Sequence, residues 1–221
     1  MTARQARSRG GLSAAEIAQA ALELTNREGL EALSMRRLAS ELGIGAMTLY
    51  GYFADKDALI DAIVDLAASE IRLPAGQGPW RTRLGQLADE IRRVLQKHPA
   101  GLRIRFTRPM LTPGAMRTTE VAMRILLDGG FTPAEAARAY RTVFLYTFGF
   151  ASFTPDGAPA EVQRATSAAL STLPAEEFPA VAGAIDELAA TMSGDEQFHY
   201  GLQRLFDGLE HSASSTRIRP Q

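Results

Sequence analysis

Apolar residues recur along this chain at intervals of three and four, and no stretch alternates apolar with polar positions over any useful length. The period is helical throughout. It predicts helices near 13–28, 35–42, 46–52, 56–71, 80–97, 101–108, 113–128, 133–153, 159–172, 175–191 and 195–210. Several starts carry explicit signals. In "LSAAEI", Ser13 stands as N-cap with Glu16 three residues on, and Leu12 faces Ile17 as a hydrophobic staple. "FTPAEA" repeats the logic with Thr132, Pro133 and Glu135, while "LTPGAM" and "MSGDEQ" offer Thr112 and Ser193 as caps. "RLPAGQGPW" interrupts the pattern between Arg72 and Trp80. The expected layout is a small module over 1–70, a larger helical module over 71–211 and a disordered tail over 212–221.

The most informative corner lies in "LASELGIGAMTLYGYFADKDAL", residues 38–59. Leu38, Ala39 and Leu42 form one helix face, and the small Ala39 lets a second helix approach closely. Gly43 follows the last apolar residue and can turn left-handed without a steric penalty. Ile44 plugs the corner, and Leu49 returns the next helix to the same core. Ala39, Gly43 and Leu49 thus fall at the small, turn and apolar positions of a helix-turn-helix, whose second helix enters the DNA major groove. Ile17, Ala20, Ala21 and Leu24 on the first helix, with Leu30 and Leu33, complete a three-helix core. The second helix is edged by hydroxyls and rings rather than by charge.

Composition narrows the function. Of 221 residues, 46% are hydrophobic and 22% charged, the balance of a globular protein. The uncharged run Thr142–Pro155 is too short to span a bilayer, which takes ~20 residues. "MTARQARSRGG" has arginines but no apolar core, so no signal peptide is expected and the protein is placed in the cytoplasm. Absence of cysteine removes disulfides and thiolate chemistry, and His98, His199 and His211 lack metal spacing. No cofactor is expected. A formal net charge of −1 excludes a globally basic nucleic-acid binder, so any DNA attraction must be local. Arg4, Arg7 and Arg9 form one cluster, read either as a basic arm that reaches DNA or as an idle tail. Arg36 and Arg37 form another, with Arg37 expected to be solvated or ion-paired.

The run "AALELTNREGLEALSMRRLASELGIGAMTLYGYFADKDALIDAI" resembles the DNA-binding domain of the tetracycline-repressor (TetR) family over about residues 12–66. The resemblance rests on "LSMRRLA", "LGI", "TLY" and "YF", followed by Lys56 before an apolar helix. It implies an all-α fold: an N-terminal three-helix helix-turn-helix domain, then a C-terminal helical ligand-binding and dimerisation domain. It also implies a homodimeric repressor that holds a palindromic operator and is released by a small-molecule effector, not an enzyme. Candidate DNA contacts are Ser34, Arg36, Gly45, Ala46, Met47, Thr48, Tyr50, Tyr52 and Lys56. Thr48, Tyr50, Tyr52 and Lys56 match positions that touch DNA in the family, although Tyr50 also reads as a core aromatic. Ala46 and Met47 can touch a thymine methyl group. The chain departs from the tetracycline repressor, which has Gln-Pro at Ala46-Met47 and Trp-His at Gly51-Tyr52. A different operator is therefore implied.

Beyond residue 70 the sequence is less specific. "YRTVFLYTFGFASF" is apolar on nearly every side, which implies burial against neighbours on one side and a partner subunit or cavity on the other. Phe198, Leu202, Leu205, Phe206 and Leu209 form a stripe, with Gly201 and Gly208 seven apart and able to admit a close helix. By resemblance, helices near 133–153 and 195–210 form the homodimer's four-helix bundle. Effector candidates are Trp80, His98, Phe106, Met110, Met116, Met123, Tyr140, Phe144 and Phe148, each of which also reads as core. The tetracycline metal site cannot be traced. Two other functions were open to the pattern, an all-α enzyme and a helical protein adaptor. No G-x-S-x-G, H-E-x-x-H or Walker glycine run supports the first, and "GIGAMT" follows a helix rather than a strand.

Overall fold

The structure, a computed structural model, describes residues 12–99, 111–153, 158–192 and 194–217, with residues 212–217 described by backbone alone. Every regular element among the described residues is helical: α1 (Ala14–Glu28), a 3-10 turn (Leu30–Ala32), α2 (Met35–Leu42), α3 (Ala46–Tyr50), α4 (Lys56–Ser69), α5 (Trp80–Lys97), α6 (Pro113–Asp128), α7 (Pro133–Phe153), α8 (Pro159–Leu170), α9 (Pro179–Ala182), α10 (Ile185–Thr191) and α11 (Asp195–Arg217). The helix expected over 101–108, the arginines of the N-terminal arm, Phe106, Met110 and Ser193 lie outside the described residues.

The helices expected over 46–52, 56–71 and 159–172 each end two residues early, at Tyr50, Ser69 and Leu170, and two elements differ more. The helix expected over 175–191 is two short ones: Pro179 starts the first, with Phe178 before it out of helical geometry at φ −123° and ψ 55°, and the break between the two falls at Gly183–Ala184, where Ala184 takes φ −140° and ψ 28°. The last helix runs on to Arg217, into the tail expected to be disordered from 212.

The chain forms two compact units, each built from separate stretches: residues 1–74 with 93–121, and 75–92 with 122–221. In the first, α1 opens on the expected capping box. The Glu16 amide donates to Ser13 Oγ at 3.2 Å, and the Ser13 amide donates to Glu16 Oε2 at 2.8 Å. Ile17, Ala21 and Leu24 from α1 pack with Leu33, Met35, Leu38, Ala39, Leu49 and Phe53, and Leu12 lies against them. Leu59, Ile60, Ile63 and Val64 close the core from α4, which Asp55 caps through the Ala58 amide at 2.7 Å.

Gly43 makes the corner. It sits at φ 70° and ψ 28°, the Ile44 amide bonds back to Ala39 O at 3.0 Å, and its own amide reaches Ser40 O at 3.3 Å. This pair of bonds is a Schellman closure, which satisfies carbonyls the helix end would leave open. A Cβ at Gly43 would meet nothing within 4 Å. Glycine is required there by the dihedral angle, not by space.

The C-terminal end of α4 is bolted to other parts of the same unit. His98 is buried. Its Nδ1 lies 2.8 Å from Asn26 Nδ2 on α1, and its Nε2 lies 3.1 Å from Glu70 Oε1 just past α4. With Asn26 donating to Nδ1, the ring proton sits on Nε2 and is given to Glu70. Lys97 Nζ reaches the other Glu70 oxygen at 2.7 Å, and Arg93 donates to the Glu70 carbonyl at 2.7 Å. Nearby, the Gly114 amide at the start of α6 donates to Asp65 Oδ1 at 2.7 Å. A side chain at Gly114 would press on Asp65 and Ala68, so α6 seats on α4 only because the residue is glycine.

In the second unit, Leu84, Leu87 and Ile91 on α5, Val143 on α7 and Phe198 and Phe206 on α11 are all buried. The Trp80 ring stands edge-on to Phe131 and Phe206, with centroids at 5.0 and 5.2 Å. Arg92 is almost fully buried. It pairs with Asp195 at 2.8 Å and lies over the rings of Phe198 and Phe150. Tyr146 crosses from α7 to donate to the Phe198 carbonyl at 2.9 Å, and burial raises its phenol pKa. Its ring fills the space where Gly201 would carry a Cβ. The close approach expected at Gly201 is therefore within one chain.

Two predictions follow from the corner and the bolt. Gly43→Ala should lower stability by about 1–2 kcal/mol, the penalty for an L-residue in left-handed geometry, and Gly43→Asn by less. Urea unfolding followed by circular dichroism checks both. The hydrogen bond from Lys97, with the one from His98, holds the Glu70 carboxyl below its ordinary pKa of 4.5. A depressed carboxyl stabilises the fold above its unfolded pKa and loses that contribution as pH falls through the lower folded value. The melting temperature should therefore fall more steeply below about pH 4.5 in the parent than in Glu70→Gln, with a difference under about 1 kcal/mol because the pair is part-exposed.

Candidate nucleic-acid interface

The helix α3 is five residues long, and only one of them points fully inward. Leu49 has no exposed surface, Ala46 is half-buried against the core, and Phe53 just beyond the helix is buried. The remaining positions face out. Met47 is 81% exposed, Tyr50 48% and Tyr52 40%, and Gly45, Thr48 and Gly51 are exposed as well. The ambiguity over Tyr50 is thereby resolved in geometry: its ring is presented to solvent.

The backbone fixes this presentation. Gly45 caps α3 at extended angles, and its carbonyl accepts from the Thr48 amide at 2.9 Å. At the other end, the Tyr52 and Phe53 amides both reach Leu49 O at 2.9 Å, so the chain folds tightly over its own anchor. A Cβ at Gly51 would come 3.2 Å from the Thr48 carbonyl.

Electrostatics around α3 is set by which cations are already paired. Arg37 Nη2 donates to Glu28 Oε1 at 3.0 Å and lies 3.9 Å from Glu41, while Arg27 reaches Glu41 at 2.7 Å and Glu28 at 3.1 Å. Hydrogen bonds from Arg37 and then Arg27 hold the Glu28 carboxyl below its ordinary value. Arg37 is thus ion-paired, as its sequence context suggests. Arg36 and Lys56 are exposed and have no ion-pair partner among the described residues. Ser34 accepts the Arg37 amide at 3.1 Å, which leaves its hydroxyl proton for another acceptor. Periodicity alone does not single out Glu28 and Glu41; the i,i+4 spacing of Arg37 and Glu41 is the one local signal that marks them.

The nine DNA-contact candidates therefore all belong to one unit: Arg36 on α2, Ala46, Met47, Thr48 and Tyr50 on α3, Lys56 at the start of α4, Ser34 and Gly45 as the caps before α2 and α3, and Tyr52 just past α3. The effector candidates are divided. Among those described, His98 and Met116 belong to the first unit, and Trp80, Met123, Tyr140, Phe144 and Phe148 to the second. Tyr140, Phe144 and Phe148 make a half-buried ladder along α7, with successive centroids 5.7 and 4.5 Å apart. His98 and Trp80 each hold structural positions, the first in the Glu70 bolt and the second between Phe131 and Phe206. No helix among the described residues is long and apolar enough to cross a membrane.

Comparison with known proteins gives the same assignment over both parts of the chain. Residues 17–63 match the family described as bacterial regulatory proteins, tetR family, and residues 74–213 match the tetracyclin repressor-like C-terminal domain. An HTH-type transcriptional regulator of Saccharopolyspora erythraea is 34% identical over 95% of this chain and 89% of its own length. The class D tetracycline repressor protein of Escherichia coli is 32% identical over 90% of this chain and 89% of its own. Among solved structures, the Streptomyces coelicolor TetR family protein ActR, in complex with actinorhodin, superposes with a TM-score of 0.78 at 29% identity and covers 92% of this chain and 98% of its own. An all-helical chain with this corner, this outward-facing short helix and these relatives belongs to the TetR family of DNA-binding transcriptional regulators.

Proposed function

We propose that the protein is a cytoplasmic homodimeric repressor that reads a palindromic operator through residues 34–56 and is released by a small-molecule effector, with no catalytic step of its own. One observation carries the DNA reading: Met47, Thr48, Tyr50 and Tyr52 stand exposed around a fully buried Leu49, flanked by the unpaired cations Arg36 and Lys56. Arg36 and Lys56 bind phosphates, as does the Ser34 hydroxyl. Thr48 and the two tyrosine hydroxyls supply hydrogen bonds at phosphate or base edges, and the backbone at Gly45 lies close to the groove. The first seventy residues form the reading head in this scheme, and residues 71–211 carry dimerisation and sensing.

A five-residue helix reads too few base pairs to specify a site alone, so two-fold pairing is needed, with half-sites ~34–36 Å apart. Leu145 on α7 and Tyr200 on α11 are 52% and 62% exposed, the apolar surface expected of an unpartnered bundle face. The actinorhodin complex of the related structure, together with the Tyr140–Phe144–Phe148 ladder, Trp80 and Met123, supports an aromatic, largely apolar effector. Release requires that the effector prefer the conformer that fits DNA poorly, with coupling of about 1–3 kcal/mol.

Selection of bound duplexes from a random pool should return a palindrome; failure to retain any duplex at low salt would refute the reading. On that operator, Arg36→Ala and Lys56→Ala should each flatten the plot of log affinity against log salt by about 1.8 for the two copies in a dimer, since each phosphate contact contributes about 0.9. Fluorescence anisotropy across a salt series measures this. Leu145→Glu with Tyr200→Glu should weaken self-association at least about tenfold, because each would place a charge in a desolvated contact. Sedimentation equilibrium reads that change.

A further inference from the structure

The surface of the first unit carries one feature that phosphate binding does not use. Met47 is 81% exposed, far more than any other apolar side chain of that unit's three-helix core region, and it stands at the second position of α3. Its surroundings are chemically unusual for a base reader. From Gly43 to Ala54 the sequence holds no Arg, Lys, Asn, Gln, Asp or Glu. The bidentate pairings that identify guanine (Arg or Lys) and adenine (Asn or Gln) are therefore absent from the whole stretch. Of the cations that flank it, Arg37 is committed to Glu28 and Glu41, and Arg36 and Lys56 lie outside α3.

We infer that the operator's identity is read mainly through the 5-methyl group of thymine, with Met47 as the specificity-determining residue. This rests on the DNA-binding reading above. Thymine is the only standard base that presents an apolar group in the major groove. A flexible, polarizable thioether fits an irregular apolar surface without a fixed hydrogen-bond geometry. Ala46 is half-buried and cannot extend as far, and the hydroxyls of Thr48, Tyr50 and Tyr52 accept and donate too permissively to separate the four base pairs by themselves. The charge complementarity of Arg36 and Lys56 on either side makes duplex DNA the occupant of this apolar face, rather than a protein surface.

The test uses the full chain and the operator found by selection. Each thymine is replaced in turn by deoxyuridine, which keeps base pairing and removes only the methyl group. At one or two positions per half-site the replacement should weaken binding about fourfold, the loss of one buried methyl contact, and about fifteenfold when both half-sites are changed. At the same position a C·G pair should bind poorly and 5-methylcytosine·G should recover part of the loss. In Met47→Ala, already weaker on the parent operator, deoxyuridine should cost nothing further. Met47→Gln, of equal length, should shift preference toward adenine at that position. Because Met47 lies outside the core, both variants should melt with the parent. The inference is overturned if no deoxyuridine replacement weakens the parent, or if the loss persists unchanged in Met47→Ala and Met47→Gln. Retained low-salt binding in that case would leave the DNA reading standing, whereas loss of all duplex binding by the parent would refute both.

Discussion

The interface hangs on Leu49. A helix of five residues has too few hydrogen bonds to persist by itself, because nucleation costs more than so short a run returns. Its existence and its direction are therefore tertiary properties. Leu49 supplies the inward anchor, buried completely among Ile17, Leu38 and Ala39, and Phe53 pins the chain just past the helix end. The corner at Gly43 and the return of two amides to Leu49 O fix the remaining freedom. Every outward group on α3 is aimed by this one inward side chain.

The same unit is not a free-standing head. It takes in residues 93–121 as well as the first seventy-four. Glu70 gathers Lys97, His98 and the Arg93 guanidinium around the end of α4, and His98 passes that connection on to Asn26 in α1. Asp65 receives the α6 amide of Gly114. Arg93, Lys97, His98 and Gly114 thus tie to α1 and α4, the two helices that support α3. The bonds of His98, Arg93 and Gly114 are part-buried, so losing one would strand a part-buried polar group, whereas the Lys97–Glu70 pair is exposed.

Much of this was legible in the sequence, and the reasons are local. Capping boxes at Ser13 and Thr132 fix helix starts because a side chain and a backbone amide three residues apart satisfy each other. Gly43 announces a left-handed corner, and Leu49 with Phe53 reveals which face of α3 is inward. What escaped is what depends on distant partners. The partners of His98 are not visible in the sequence, because Asn26 and Glu70, 72 and 28 positions away, are brought to its two nitrogens only by the fold. Gly201 signals a close helix approach, but not that Tyr146 of the same chain is what occupies its space. A break at Gly183–Ala184 divides a helix that periodicity joined, because apolar spacing survives the break while the helical backbone does not.

Electrostatics completes the picture. With a net charge of −1, the chain cannot rely on a general attraction for DNA, and its arginines are not equivalent. Glu28 and Glu41 withdraw Arg27 and Arg37 into a surface network, which leaves Arg36 and Lys56 as the local cations beside α3. On the proposed reading, two such charges would position a duplex but carry no information about its sequence. Discrimination must then come from groups that are neutral, and the exposed groups available on α3 are one thioether and a row of hydroxyls. A reader built this way gains little from charge and much from shape. Its selectivity is tied to how rigidly Leu49 and Gly43 hold those few side chains against the groove.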